Sequence, residues 1–211
     1  MDASIYDELY YIHGVTSGKS LYENYRWLPQ LSLPMVQRMA DYLGIKKDDD
    51  ILDYGCATGF IVKAFRELGY QASGIDVSEW AIANCDPAVP NFLVCGGLES
   101  YPLAVYDWII AKDVLEHVPE CEKAINLLME RAKVGVFAVV PLSVIDGQPY
   151  VVSDYEKDVT HIHRLSLATW AKMFTRPGWS VEATYRVSGI KDNYAQFEMG
   201  NGFITARRQH G

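Results

Sequence analysis

Residues 51–60, ILDYGCATGF, decide the fold. The β-rich run ILDY leads into a turn that carries Gly55 and Gly59, and a helical pattern begins at Phe60. In FIVKAFRELG the apolar side chains recur at helical spacing, and Gly69 supplies a helix stop. A strand, a glycine-bearing turn and a helix in this order predict the first βα unit of a parallel sheet.

β-rich runs and helical patterns continue to alternate along the chain. The further runs are QASGID (71–76), NFLVC (91–95), YDWIIA (106–111) and VGVFAVV (134–140). After the helix LATWAKMF, which Ser166 can cap, WSVEATYRV and GFITARR follow without a helix between them and predict an antiparallel hairpin. We expect an α/β fold with a seven-stranded, mostly parallel sheet, an antiparallel last strand and helices on both faces.

The composition is that of one globular unit. Of 211 residues, 49% are hydrophobic and 22% are charged, which excludes intrinsic disorder and fibrous repeats. A net charge of −8 and the lack of a basic run disfavour nucleic-acid and anionic membrane partners and leave a small-molecule partner. Residues 1–44, with many tyrosines and a predicted helix from Pro34 to Leu43, form an expected N-terminal helical cap on a domain spanning 45–211.

Targeting and redox features are sparse. The start MDASIYDELYY lacks the basic and apolar parts of a signal peptide, and the apolar run VGVFAVVPLSVI is short and contains Pro141. The four cysteines form no CxxC pair, so we expect reduced thiols. These features favour a cytoplasmic protein. They leave its oligomeric state open between a monomer and a homodimer.

A carboxylate follows the glycine turn at the spacing that ribose binding requires. Asp76 ends the second β-rich run, about twenty residues beyond the turn, where its two oxygens can accept both hydroxyls of a ribose. The alternative is that Asp76 only caps the next helix, but Ser78 already fills that position. The turn and the acid together predict nucleoside binding.

Three segments resemble the class I S-adenosylmethionine-dependent methyltransferases: LDYGCATG, GIDVS and YDWIIAKDVLEHV. The first is similar to the family motif hydrophobic-D/E-x-G-x-G-x-G, with Ala57 in place of the middle glycine. The resemblance implies a Rossmann-like sheet, S-adenosylmethionine (SAM) as cofactor and S-adenosylhomocysteine (SAH) as product. A nicotinamide-dependent reductase is the rival, and it would need a third glycine placed for a pyrophosphate.

The resemblance also implies cofactor contacts. It assigns the methionine part to Asp53, Gly55, Ala57 and Gly59, the ribose to Asp76 and Val77, the adenine to Gly97, Leu98 and Glu99, and the methyl end to Lys112 and Asp113. The acid that often follows the glycine of the adenine loop is absent, since Leu98 follows Gly97.

The candidate general bases are Asp113, His117 and His161. His117 lies just beyond the fourth β-rich run, and its alternative role is packing or pairing with Glu116. The segment DVTHIHRLS places His161, His163 and Arg164 in a loop expected to cover the pocket, with His163 and Arg164 as substrate contacts. The alternative for His161 is helix capping. Two histidines flanking one residue near Asp158 occur often by chance, so no metal is expected.

Aromatic residues dominate YYIHGVTSGKSLYENYRWLP (10–29). An N-terminal extension in this fold commonly covers the cofactor, so we expect Tyr22 and Arg26 to contact SAM and Tyr11 and His13 to contact the substrate. The alternative is a packing helix with tyrosines at helical spacing. For Trp170 we expect a role in the core.

The sequence thus predicts methyl transfer to a small molecule. The segments YENYRWLP and LDYGCATGF look similar to methyltransferases of bacterial surface-polysaccharide biosynthesis. This implies O-methylation of a sugar, phosphoryl or phosphoramidate-type precursor. N-methylation of a small amine and a SAM-binding partner subunit without turnover are the alternatives.

Overall fold

Seven strands form one sheet in the computed structural model, which describes residues 3–100, 104–192 and 195–209. They are β1 (Asp50–Tyr54), β2 (Gln71–Asp76), β3 (Leu93–Cys95), β4 (Tyr106–Lys112), β5 (Ala132–Pro141), β6 (Trp179–Thr184) and β7 (Asn201–Arg208). Their order is β3-β2-β1-β4-β5-β7-β6. β1 to β5 pair in parallel, and β7 is antiparallel to both of its neighbours. The predicted mostly parallel sheet with an antiparallel last strand is confirmed.

The α-helices of the described chain are α1 (Glu8–Tyr11), α2 (Gly14–Ser17), α3 (Pro29–Leu43), α4 (Phe60–Glu67), α5 (Glu79–Ala83), α6 (Cys121–Arg131) and α7 (Leu167–Met173). Ser78 and Ser166 cap α5 and α7 through their hydroxyls, as predicted. α3 begins at Pro29 rather than Pro34, because a proline in the first turn lacks an N–H that would have no helical partner. In the parts of the chain that the structure covers, we find no helix with the length and apolar character to cross a bilayer.

Helices pack on both faces of the sheet, as expected. On one face, Met39 of α3 and Phe65 of α4 are fully buried in a cluster with side chains of β1 and β4. On the other face, Ile125 of α6 and Trp170 of α7 are fully buried against β4, β5 and β7. The predicted core position of Trp170 is confirmed. Burying both faces leaves the carboxyl edge of the parallel strands as the place where loops build a site.

The segment before α3 covers this carboxyl edge. The ring of Tyr11 stacks on Trp80 of α5 with a centroid distance of 5.5 Å. Tyr25 packs on Phe60 at the start of α4, with 5.0 Å between centroids. The hydroxyl of Ser78 donates a hydrogen bond to the carbonyl of Tyr6 at 2.6 Å. Residues 3–28 therefore lie over the βα turns, whereas α3 contributes to the core. The domain division at residue 44 stays a prediction.

Candidate active site

The turn after β1 needs left-handed backbone at three positions. The φ angles are +78° at Gly55, +48° at Ala57 and +84° at Gly59. A Cβ at Gly55 would lie 2.4 Å from a γ-carbon of Val114, so only glycine fits there. Ala57 accepts the same backbone region although it carries a methyl group, which packs in the cluster of Tyr10 and Tyr11. Ala57 therefore replaces the middle glycine of the family motif at a position where glycine would adopt the observed backbone without strain.

Asp76 ties this turn to the start of α5. Its Oδ2 accepts a hydrogen bond from the backbone N–H of Ala57 at 2.7 Å, and its Oδ1 accepts one from Ser78 at 2.8 Å. The side chain is buried, and burial raises the pKa of its carboxyl while these two N–H groups oppose the rise. Each carboxylate oxygen has a further lone pair for a ligand hydroxyl. The cap of α5 itself comes from Ser78.

A cavity of about 260 Å³ opens beside this turn. Of the residues predicted to contact the cofactor, it is lined by Gly55, Ala57, Asp76, Val77, Gly97 and Tyr22, together with Glu99 and Asp113. Tyr11, predicted to contact substrate, also lines this cavity. Five other predicted cofactor residues do not line it: Asp53, Gly59, Leu98, Lys112 and Arg26. Leu98 is buried in the core, and Arg26 is exposed.

Asp53 is buried at the end of β1 with an unsatisfied oxygen. The residue is 2% exposed, and its Oδ2 has no hydrogen-bond partner within the described residues. Burial and the nearby Asp76 raise the pKa of this carboxyl to about 7, against the opposing charge of Lys112. A buried oxygen without a donor costs free energy, so the site favours a ligand that brings a donor or a positive charge.

A second and larger cavity, of about 690 Å³, adjoins the first. Both are lined by Tyr10, Tyr22, Asp113 and His117, so these four side chains mark the junction. The polar lining of the larger cavity also includes Lys112, Glu116, Asp158, His161 and Lys191. Its apolar lining includes Leu21, Leu31, Pro34 and Met35. A cofactor in the small cavity and an acceptor in the large one would meet at the junction.

The tautomer of His117 follows from its hydrogen bonds. Thr160 donates its hydroxyl hydrogen to Oδ1 of Asp158 at 2.5 Å, because a carboxylate only accepts. The Nδ1 of His117, 2.7 Å from the same hydroxyl oxygen, must then carry the hydrogen and donate it. The Nε2 of His117 is left with a free lone pair. Burial and the neighbouring His161 lower the pKa of His117 to about 4, so the ring is neutral near pH 7.

His161 carries its ring hydrogen on Nδ1, as His117 does. Its Nδ1 donates to the carbonyl of Tyr155 at 2.9 Å, because a carbonyl has no hydrogen to give, so Nε2 carries the lone pair. Burial lowers the pKa of this imidazole as well. The two rings are 4.7 Å apart between centroids. Glu116 lies beside them, 1% exposed, and burial raises the pKa of its carboxyl to about 8.

Asp113, the third candidate base, is held between two lysines. Its carboxylate accepts from Lys112 at 2.5 Å and forms an ion pair with Lys191. These charges keep the pKa of Asp113 far below its usual range, and each of its two oxygens already accepts from a lysine. Lys191 lies between β6 and β7 in a stretch without a motif, so the sequence did not predict its place in the site. Glu116 was predicted only as a partner of His117.

Three predicted substrate contacts line neither cavity. The Nε2 of His163 donates to the carbonyl of Val118 at 2.7 Å, which fixes the loop. Arg164 forms an ion pair with Glu156 at 2.7 Å. His13 is exposed and precedes α2. Substrate contact by these residues stays a prediction.

A parallel sheet with a glycine turn, a strand-end carboxylate and two adjoining cavities defines an α/β protein that binds a nucleoside cofactor beside a second ligand. Residues 26–184 match the family model for the methyltransferase domain, and the chain belongs to this family. A ubiquinone biosynthesis O-methyltransferase of Nitrosospira multiformis is 31% identical over 97 residues, which span 41% of this chain and 39% of that protein. The chain therefore aligns with less than half of that relative.

Solved structures share the fold. The methyltransferase in complex with the Haloferax volcanii Trm112 methyltransferase activator superposes with a TM-score of 0.66 at 13% identity, covering 86% of this chain and 92% of that chain. The plantazolicin methyltransferase BpumL, in complex with a triazolic desmethylPZN analog and SAH, gives a TM-score of 0.64 at 14% identity over 86% of each chain.

The chain therefore carries a methyltransferase domain, the family for which SAM is the expected cofactor. Its residues fit this cofactor on three observations: Gly55 leaves no room for a side chain, Asp76 faces the small cavity with free lone pairs, and Asp53 has an oxygen that lacks a donor. SAM carries ribose hydroxyls, an ammonium and a sulfonium, which match these needs.

Proposed function

We propose that this methyltransferase O-methylates a hydroxyl of a small acceptor bound in the larger cavity, with His117 receiving the hydroxyl proton. One observation carries the proposal. His117 lines both cavities, and the lone pair on its Nε2 is free. Thr160 and Asp158 fix the ring through the other nitrogen, Nδ1. A general base must be within reach of the reacting hydroxyl, and this junction satisfies that requirement.

Gly55, Asp76 and Val77, which line the small cavity, are the proposed cofactor contacts, together with Asp53, which is buried at the end of β1 and does not line the cavity. Bound SAM supplies an electrophilic methyl group on its sulfonium. The protein's own task is to hold the acceptor oxygen about 3 Å from that methyl and in line with the leaving sulfur. Tyr10 and Tyr22, which line the junction and are raised in pKa by burial, exclude water there and stay protonated.

The larger cavity favours an acceptor with an anionic group. Lys112 and Lys191 both line it, and each ammonium has three N–H donors, of which Asp113 takes one from each lysine. The remaining donors suit a phosphoryl or carboxylate oxygen. This supports the sugar, phosphoryl or phosphoramidate-type precursors of surface polysaccharides as the acceptor class.

N-methylation of a small amine is the second candidate. The net charge of −8 attracts a cationic acceptor from solution. However, the N–H donors of Lys112 and Lys191 that Asp113 leaves free suit an anionic acceptor, and the relative from Nitrosospira multiformis is an O-methyltransferase by name. Hydroxyl acceptors are therefore favoured.

The test is SAH release from SAM with two matched acceptor panels, phosphorylated or nucleotide-linked sugars and small amines of similar size. We expect turnover with a hydroxyl acceptor. His117→Gln should lower kcat roughly 100-fold or more while SAH affinity stays within twofold.

Thr160 provides a matched pair for the same assay. Thr160→Val removes the hydroxyl that orients His117, and Thr160→Ser keeps it. We expect a lower kcat in the valine variant and near wild-type kcat in the serine variant. Turnover of amines alone, or full activity in His117→Gln, would contradict the proposal.

A further inference from the structure

Three side chains of the larger cavity converge on one point. The Nε2 of His117 lies 3.9 Å from Oε1 of Glu116, and the Nε2 of His161 lies 4.0 Å from the same oxygen. One ligand atom from each residue lies within 4.8 Å of the other two. Metal–ligand bonds of about 2.1 Å place neighbouring ligands of a tetrahedral site roughly 3.4 Å apart. To close around an ion, the two distances to Glu116 would contract by about half an ångström and the distance between the two histidine nitrogens by at most about 1.4 Å.

Both imidazoles present the nitrogen that a metal needs. The Nδ1 atoms donate to Thr160 and to the carbonyl of Tyr155, which leaves the two Nε2 lone pairs pointing away from these partners. Metal-ligating histidines are commonly fixed in this manner by a hydrogen bond from the other ring nitrogen. Thr160 in turn donates its hydroxyl hydrogen to Asp158, so the hydrogen bonds that would orient the metal-binding histidines are present.

Glu116 supplies an independent sign of a missing partner. Its carboxyl group is 1% exposed, and its Oε2 has no hydrogen-bond partner in the described parts of the chain. Its backbone is fixed, since the carbonyl of Glu116 accepts from the N–H groups of Ile162 and His163. A buried carboxylate oxygen without a partner is costly unless a cation or donor satisfies it.

The surrounding charges allow a cation. Lys112 and Lys191 are the nearby positive groups, and both pair with Asp113. Asp158, whose Oδ2 lies 4.0 Å from Nε2 of His161, adds a negative charge. An ion that binds here would displace the carboxyl proton of Glu116, and two neutral nitrogens and one carboxylate would then hold the divalent ion.

We propose that Glu116, His117 and His161 form a binding site for a divalent transition-metal ion, open toward the larger cavity. Two histidines and one glutamate are a ligand set that zinc uses where a coordination position remains for a water or a substrate oxygen. The lone pair on Nε2 of His117 holds either a proton or a metal, so the metal-bound form cannot use His117 as a base. The binding site and the proposed acceptor chemistry are tested separately.

The experiment is calorimetric titration of Zn²⁺ into the untagged, chelator-treated protein, followed by Co²⁺ absorption spectra. We expect one Zn²⁺ per chain, and at least tenfold weaker binding in His161→Gln and in Glu116→Gln. His163→Gln is the matched control, because this histidine lies in the same segment but bonds to the Val118 carbonyl. It should retain wild-type Zn²⁺ affinity.

SAH titration of each variant reports whether the fold and the cofactor site are intact. If His161→Gln fails to fold by this criterion, Glu116→Gln decides the question alone. The proposal is overturned if wild-type protein binds no Zn²⁺, or if both variants bind it as tightly as wild type. A thiolate-to-cobalt charge-transfer band would place the ion on a cysteine and would also overturn it.

Discussion

The hydroxyl of Tyr10 donates a 2.8 Å hydrogen bond to Oδ2 of Asp158, across 148 residues of sequence. This bond joins the N-terminal segment to the loop that follows β5. The other oxygen of Asp158 accepts from Thr160, and Thr160 accepts from His117. Closure of the segment over the cofactor cavity and the orientation of the proposed base therefore belong to one buried network.

Tyr10→Phe tests this connection. The substitution removes only the hydroxyl and leaves Oδ2 of Asp158 without its donor. A hydrogen bond to a buried carboxylate contributes about 2 kcal/mol, so we expect the free energy of unfolding to fall by that amount. Urea denaturation measures the loss, and hydrogen exchange should show faster opening of residues 6–25.

Tyr25→Phe is the control for Tyr10→Phe. The hydroxyl of Tyr25 makes no hydrogen bond that the described residues show, although its ring packs on Phe60 in the same segment. We expect little change in stability for this variant. If both variants lose the same free energy of unfolding, the Tyr10–Asp158 hydrogen bond does not account for the loss in Tyr10→Phe.

Opposite substitutions in the glycine turn should have opposite outcomes. Gly55→Ala should lower stability by about 2 kcal/mol or more and weaken SAH binding, because the left-handed backbone and Val114 both oppose a Cβ. Ala57→Gly relieves left-handed strain of roughly 1 kcal/mol and loses a similar amount through greater freedom of the unfolded chain. We expect its stability to stay within about 1 kcal/mol of wild type.

Urea denaturation and SAH calorimetry check both variants of the turn. Gly55→Ala serves as the reference for a substitution whose side chain does not fit in the turn. A large loss of SAH affinity in Ala57→Gly would show that the methyl group of Ala57 contacts the cofactor, contrary to this expectation.

The sheet and the turn could be read from the sequence because their signals are local. ILDYGCATGF combines a buried strand, left-handed positions and a helix start within ten residues, and each leaves a residue-type signature. Lys191 and Glu116 leave no such signature. Their roles arise from contacts across the fold, such as the ion pair of Lys191 with Asp113, and neither periodicity nor spacing encodes those contacts.

The histidines illustrate the same limit. The segment DVTHIHRLS predicted that both His161 and His163 lie at the pocket. In the structure, His161 lines the larger cavity, and His163 bonds to a backbone carbonyl outside it. The two side chains lie two residues apart but contact different surroundings, and only the tertiary structure decides which one meets the cavity.

Asp76→Asn tests the ribose contact. The carboxylate accepts two backbone N–H groups, and an amide nitrogen at either oxygen position would face one of them. We expect at least tenfold weaker SAH binding, a loss of about 1.4 kcal/mol, by calorimetry. Glu79→Gln, in the exposed first turn of α5, controls for the loss of one negative charge. Unchanged SAH affinity in Asp76→Asn would remove Asp76 from the cofactor site.

Asp53→Asn should change how stability depends on pH. Burial raises the pKa of Asp53 from 3.8 to about 7 in the folded protein, so between these values the folded state keeps a proton that the unfolded state has lost. The contribution of this carboxyl is therefore favourable below about pH 4 and is lost as the pH rises through 7. Asparagine cannot ionise and does not incur this loss.

The free energy of unfolding of Asp53→Asn, minus that of wild type, should therefore grow steadily from pH 4 to pH 7.5. Urea denaturation of the ligand-free proteins at several pH values measures this difference. Asp48→Asn, at an exposed position, provides the reference for removing a surface carboxylate. A difference that stays flat across this range would mean that Asp53 ionises in the folded protein as it does in the unfolded chain. The unsatisfied oxygen would then have a donor that offsets its burial.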